Sequence, residues 1–203
     1  HWGDIACIIM EPIMGNTASI MPEKGFLENI RKLCDQYGIL LILDEVKTGF
    51  RIAKGGAQEY FNVKADIATY AKALGNGFPV AAMGGRREIM SEIGPGKIPM
   101  GGTYTGNAVA AAAADATLEA IQEGVLEKVD AHGKRLMEGM REIFDRRGVP
   151  AVIQGPPSMP GVVFTDRERV KEYRDWADSD HDTYEEVILG LFERGVMPDK
   201  DSR

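Results

Sequence analysis

The chain has 203 residues, ordinary apolar content and a formal charge of −7. That length can bury a real core, as one large domain or two small ones. The acidic balance, with no basic cluster interleaved with aromatics, argues against nucleic acid as a partner, and no apolar run is long enough to argue for a membrane span. The two cysteines, Cys7 and Cys34, have neither metal nor redox spacing and read as buried or partly buried free thiols of a reducing compartment, the cytoplasm. The chain opens on His1-Trp2-Gly3 and stops at Asp201-Ser202-Arg203, just after a helix and the start of a strand; these ends are expected of a piece of a longer protein.

In chain order, Ile5 to Met10 is a continuous apolar run, the pattern of a strand buried on both faces, and it ends in Glu11-Pro12. A loop with Gly15 and Asn16 follows. Pro22-Glu23 is placed to open a helix, with Phe26, Leu27, Ile30, Leu33 and Cys34 on one face and Gly38 closing it. Ile39 to Leu43 is a second apolar strand, capped by Asp44-Glu45. Strand, helix and strand in succession make a βαβ unit, so the sheet is expected to be mostly parallel. The loop from Lys47 to Gly56 carries more glycine than a turn requires, and Tyr60-Phe61 falls in a short helix. Ile67 to Tyr70 and Val80 to Met83 read as the third and fourth strands, and Arg86 to Ile93 as a short helix.

Ala108 to Ile121 is an alanine-rich helix, explained equally by helix propensity or by close approach to another backbone. Leu126 to Arg147 is a helix with Val129, Leu136, Met140 and Ile143 on one face. Ala151 to Ile153 and Gly161 to Phe164 form antiparallel strands around a proline-rich turn. Arg167 to Ala177 and Asp182 to Arg194 are amphipathic helices, the second burying Tyr184, Val187, Ile188, Leu191 and Phe192. The fold class is α/β, with residues 1–121 in a larger domain and 122–203 in part of a small α+β layer.

The chemistry concentrates in three places. Asp44 ends a buried strand, and ligands of open parallel sheets bind beyond the carboxyl ends of strands. Lys72 stands at the mouth of the glycine-rich turn Lys72 to Pro79, flanked by small and apolar groups, and burial there would lower an amine toward the nucleophilic range. Asn16 lies as far before Asp44 as Lys72 lies after it, each past a predicted strand end. An apolar strand ending in Asp-Glu also resembles the magnesium strand of nucleotide hydrolases, but the chain has no Gly-x-x-x-x-Gly-Lys-Ser/Thr. A lysine able to form a Schiff base, together with a carboxylate for a pyridinium nitrogen, is the minimum equipment for pyridoxal phosphate chemistry. Thr103, in the loop from Gly101 to Asn107 that leads into a helix N-terminus, offers a donor to an anion. Arg51 could meet a substrate carboxylate but reads better as a solvated loop residue. His132 and His181 have no second ligand at metal spacing.

Four ordered motifs carry a resemblance: Glu11-Pro12-Ile13-Met14-Gly15-Asn16, Leu43-Asp44-Glu45-Val46-Lys47-Thr48-Gly49-Phe50-Arg51, the stretch Lys72 to Pro79, and Gly102-Thr103-Tyr104-Thr105-Gly106-Asn107. They resemble the class III (fold type I) pyridoxal-phosphate-dependent aminotransferases, and within them the glutamate-1-semialdehyde 2,1-aminomutase-like branch. The resemblance implies that Lys72 is the catalytic Schiff-base lysine and that Asp44 hydrogen-bonds the pyridine nitrogen. It implies that Val46 packs on the ring and that Asn16 sits near the ring hydroxyl or the substrate. Thr103 would bind the phosphate of a neighbouring subunit, making a homodimer with shared sites. The cofactor would be pyridoxal 5′-phosphate, with amines or amino acids and keto acids as substrates. The family's phosphate loop and a ring-stacking aromatic come from a segment ahead of residue 1, and its small domain is completed beyond residue 203. This chain alone is therefore expected to be an incomplete site. The expected function is aminotransfer; the alternatives are an intramolecular aminomutase and a catalytically silent remnant that keeps the fold.

Overall fold

The computed structural model describes residues 2–198. The chain divides into two compact units: the residues up to Pro12 together with Lys24–Leu126, and Ile13–Glu23 together with the residues from Glu127 on. The loop 13–23 thus goes with the later half of the chain, an association that chain order does not show.

The first unit is built on a four-stranded sheet in the order β1-β2-β3-β4: β1 (Cys7–Met10), β2 (Leu40–Asp44), β3 (Ile67–Tyr70) and β4 (Ala82–Gly85). The β1–β2 and β2–β3 pairs are parallel and β3–β4 is antiparallel. Helix α1 (Phe26–Tyr37) crosses between β1 and β2, and α2 (Gly56–Phe61) precedes β3. The short helix α3 (Arg87–Met90) follows β4, and α4 (Ala108–Gln122) follows a long loop. The core is Leu27, Cys34, Ile39, Leu41, Leu43 and Val63, with Ile8 and Met10 packed against it. Each fully buried aliphatic side chain contributes about 1.5–3 kcal/mol.

Three details differ from the sequence pattern. Among the described residues β1 lies at the sheet edge; Ile8 and Met10 face the core, whereas Cys7 is exposed and Ile9 keeps 64% of its surface. A continuous apolar run therefore does not mean burial on both faces here, and only Cys34 of the two free thiols is buried. Helix α1 starts at Phe26 rather than Pro22, after Gly25 at φ 85°. β4 starts at Ala82 because Val80 is held in the preceding turn by a bond to the Phe78 carbonyl.

Asp66, 5% exposed at the start of β3, ties this unit together. Its carboxylate accepts from the Leu41 N–H at 2.7 Å, from Arg31 of α1 at 2.8 Å and from Arg86, just past β4, at 3.2 Å. Burial alone would raise this carboxyl; the backbone donor and the two guanidinium groups outweigh it and hold Asp66 below its ordinary value.

The second unit pairs β5 (Ala151–Gln154) with β6 (Gly161–Phe164) in antiparallel register and adds α5 (Val125–Arg147), α6 (Tyr173–Ala177) and α7 (His181–Glu193). Its core is Ile20, Val163, Val170 and Trp176. Helix α5 packs by a different face from the one its large apolar residues suggest. Gly133 lies so close to Pro157 that a Cβ would meet the Pro157 carbonyl oxygen. Met137 is buried, Arg141 donates to the Ile153 carbonyl, and Phe144 meets Phe164 edge-on at 5.4 Å. Val129, Leu136 and Ile143 stay 39–55% exposed. Of the set expected to be buried in α7, Ile188 is, while Val187 and Phe192 are exposed. The segment from Arg167 becomes helical only at Tyr173, because the Asp175 carboxylate takes the Lys171 and Glu172 N–H groups and so starts the helix there. Gly195 to Pro198 forms no strand among the described residues.

A depressed carboxyl contributes stability that is present above its unfolded value, near 4, and lost as pH falls through the lower folded value. Asp66→Asn should cost on the order of 2–3 kcal/mol at pH 7 and flatten the acid limb of stability against pH. Urea unfolding of both proteins from pH 7 to pH 3 measures this; parallel acid limbs would contradict it.

Candidate active site

Asp44 is the last residue of β2 and is paired in register with Thr69 of β3. The Thr69 hydroxyl donates to Asp44 Oδ1 at 3.2 Å, and the Val46 N–H donates to the same oxygen at 3.0 Å. The Glu45 N–H continues the ladder one step, to the Thr69 carbonyl at 2.9 Å. Asp44, Val46 and Thr69 are half-buried.

Lys72 follows β3 after Tyr70 and Ala71 and opens the one-turn 3-10 segment Lys72–Leu74. Its φ is 46°, in the left-handed region that a branched or long side chain rarely adopts, and such strain persists only where surroundings impose it. The Lys72 carbonyl accepts from the Gly75 and Asn76 N–H groups at 3.1 and 2.9 Å, and Leu74 is buried beneath. Gly75 fits because it has no side chain: a Cβ would come 2.3 Å from Val80 Cγ1 and 2.6 Å from the Phe78 carbonyl oxygen. The Lys72 side chain itself is exposed, not enclosed by apolar groups as the sequence pattern suggests. Helix α4 packs against this turn.

The remaining sequence candidates fall as follows. Asn16 is exposed in the second unit, in the loop closed by the Met14 N–H bond to the Ile20 carbonyl. Thr103 is exposed ahead of α4; Asn107 caps that helix by accepting from the Ala110 N–H at 2.9 Å. Arg51 is half-buried rather than solvated, its Nε donating to the Lys47 carbonyl at 2.9 Å, and burial pushes its guanidinium below its ordinary value. His132 and His181 join no metal cluster; none occurs among the described residues. No helix among them is long and apolar enough to cross a membrane.

One residue that the motif reading passed over is Glu45, fully buried beside Asp44. Its carboxylate accepts from the Thr48 hydroxyl at 3.1 Å, from the Ala57 N–H, and from the backbone and side-chain N–H groups of Gln58, both at 3.3 Å. The surplus glycine of this loop follows: at Gly56, φ 66°, a Cβ would lie 2.1 Å from Glu45 Oε2. Burial, and next the Glu45 charge, raise the Tyr70 hydroxyl. The signal in the sequence was an acid next to a strand end, with Thr48 and a glycine pair after it.

An exposed amine and a half-buried carboxylate thus leave neighbouring parallel strands at their carboxyl ends, where sheets of this type bind ligands. The carboxylate can pair with a protonated ring nitrogen, and the amine can condense with an aldehyde, so the residues present fit an aldehyde-bearing pyridine cofactor. The sheet and its strand ends define an α/β domain that can seat a cofactor. The chain belongs to the class III aminotransferase family, whose model matches residues 2–200.

Solved structures agree. An ω-transaminase from Sphaerobacter thermophilus is 28% identical, with a TM-score of 0.88 over 96% of this chain and 45% of its own. A β-phenylalanine aminotransferase from Variovorax paradoxus is 26% identical, with a TM-score of 0.87 over 100% of this chain and 47% of its own. A transaminase with PLP bound is also 26% identical, with a TM-score of 0.87 over 99% and 47%. The chain spans about half the length of these proteins.

Gly75→Ala should force the turn carrying Lys72 to shift, because a backbone carbonyl cannot yield as a side chain can. The expected loss is about 1–3 kcal/mol by urea unfolding; an unchanged midpoint would contradict the close approach.

Proposed function

We propose that the chain carries the cofactor-binding lysine and acid of a pyridoxal 5′-phosphate-dependent aminotransferase, moving an amino group from an amine or amino acid to a keto acid or aldehyde. The observation that carries this reading is that β2 ends on Asp44, paired and hydrogen-bonded with Thr69 of the parallel β3, three residues ahead of Lys72. Family membership and the likeness to three transaminases, one of them described with PLP bound, support it.

When bound, the cofactor supplies an aldehyde that condenses with amines and a ring that takes up the electron pair left by a departing proton. Asp44, whose Oδ1 already accepts from Val46 and Thr69, would hydrogen-bond a protonated ring nitrogen and so keep it charged. Val46 would pack on the ring. The Lys72 amine would hold the cofactor through its aldehyde carbon and, when free, would serve as the base and acid that carries a proton between the substrate carbon and that aldehyde-derived carbon. Asn16 is assigned a polar contact to the cofactor or substrate through its motif.

The loop ahead of α4 and the first turn of that helix leave Ile98, Met100, Tyr104 and Val109 60–64% exposed. We propose that a second copy covers this apolar stretch and receives Thr103 at its phosphate, giving a homodimer with shared sites. The free Cys7 and Cys34 accord with a reducing, cytoplasmic location.

The test uses the natural full-length protein, saturated with pyridoxal 5′-phosphate, against a panel of amine donors with a keto acid acceptor. The wild-type protein should show the visible absorbance of lysine-held cofactor and transfer amino groups; Lys72→Ala should lose both, with turnover down at least about a hundredfold. Turnover retained by Lys72→Ala rejects the assignment. Isomerisation of glutamate 1-semialdehyde without an acceptor would replace transfer by the aminomutase reading, and failure to bind cofactor would favour the remnant.

A further inference from the structure

The Asp44–Thr69 pair ends the β2–β3 ladder, and the Glu45 N–H bond to the Thr69 carbonyl extends it one step. Past that bond, side chains decide how the two strand ends lie. The group that links them is the Glu45 carboxylate. It is 0% exposed and receives hydrogen bonds from Thr48, Ala57 and Gln58. Gln58 turns this clamp toward β3: its Nε2 lies 3.1 Å from the Tyr70 hydroxyl, and its Oε1 accepts from the Ala65 N–H at 2.9 Å. Tyr70 closes β3, two positions ahead of Lys72, and its ring packs on Phe50 at a centroid distance of 5.2 Å. Every group facing the Glu45 oxygens in this set is a donor, so the position calls for an acceptor on both oxygens, which a carboxylate supplies and an amide does not.

We propose that Glu45 is a positioning residue for the transfer reaction. Its buried carboxylate clamps residues 48–58 and, through Gln58 and Tyr70, sets the strand end that carries Lys72 against the one that carries Asp44. It touches neither cofactor nor substrate. The catalytic consequence rests on the aminotransferase reading; the clamp itself does not. A carboxylate that only stabilised the fold would give a different pattern: its loss would lower stability everywhere and leave each folded molecule as active as before.

The variants are Glu45→Gln, which turns an amide NH2 toward N–H donors, and Tyr70→Phe, which removes only the hydroxyl. Thr48→Val removes one donor and serves if Glu45→Gln does not fold. Hydrogen exchange is followed in the cofactor-free full-length proteins. Amides of residues 48–58 should exchange about tenfold faster or more in Glu45→Gln, with β1 and β2 unchanged. In the loaded enzyme kcat should fall about tenfold or more with KM within about threefold, and the cofactor Kd should rise. Tyr70→Phe and Thr48→Val should move the same quantities in the same direction by less. Unchanged exchange in residues 48–58, or a uniform loss of protection with kcat per folded molecule preserved, overturns the proposal. Absence of transfer by the wild-type protein counts against the aminotransferase reading alone, since exchange in the cofactor-free proteins decides the clamp.

Discussion

The arrangement depends on one cross-strand contact: the Thr69 hydroxyl on the Asp44 carboxylate at the end of the β2–β3 ladder. Parallel strands in register put their carboxyl ends side by side. A single hydrogen bond there converts that adjacency into a fixed direction for the acid. The lysine comes just after the threonine's strand, itself in a left-handed backbone conformation. A one-residue slip of β3 would send Thr69 to the other face and move Lys72 along the edge.

Two buried carboxylates hold this pair of strands, one at each end. At the amino end Asp66 draws in two arginines from α1 and the end of β4 and so locks helix to sheet. At the carboxyl end Glu45 is satisfied by neutral donors, Thr48 of the following loop and Ala57 and Gln58 of α2. The difference suits the positions. An ion pair with a helix can hold a sheet together from outside, whereas a cation beside Asp44 would compete for the charge that the acid offers to a ligand.

The sheet, its mostly parallel direction and the hairpin of the second unit were legible because apolar runs bounded by Gly, Pro and acidic residues mark strands plainly. The Asp44 and Lys72 strand ends could be read for the same reason. Burial was less legible. β1 and β2 have equally apolar sequences, yet Ile9 keeps 64% of its surface because, among the described residues, its face of β1 lacks the cover that the core gives Ile8 and Met10. The packing face of helix α5 is not legible because hydrophobicity favours Val129, Leu136 and Ile143, while the packing is decided by close approach at Gly133. Glu45 escaped notice because a charged residue after a strand usually meets water, and its donors come from residues that nothing in the spacing ties to it. The placement of residues 13–23 with the second unit is a tertiary fact without a local signal.

The central claim is that one particular amine, set beside Asp44 by strand register, holds the cofactor. The most direct measurement is borohydride reduction of the full-length protein loaded with pyridoxal 5′-phosphate, followed by mass-spectrometric mapping of the modified peptide. The account predicts a single modified residue, Lys72, and loss of the modification in Lys72→Ala. A cofactor fixed to any other lysine, with Lys72 unmodified, would contradict it.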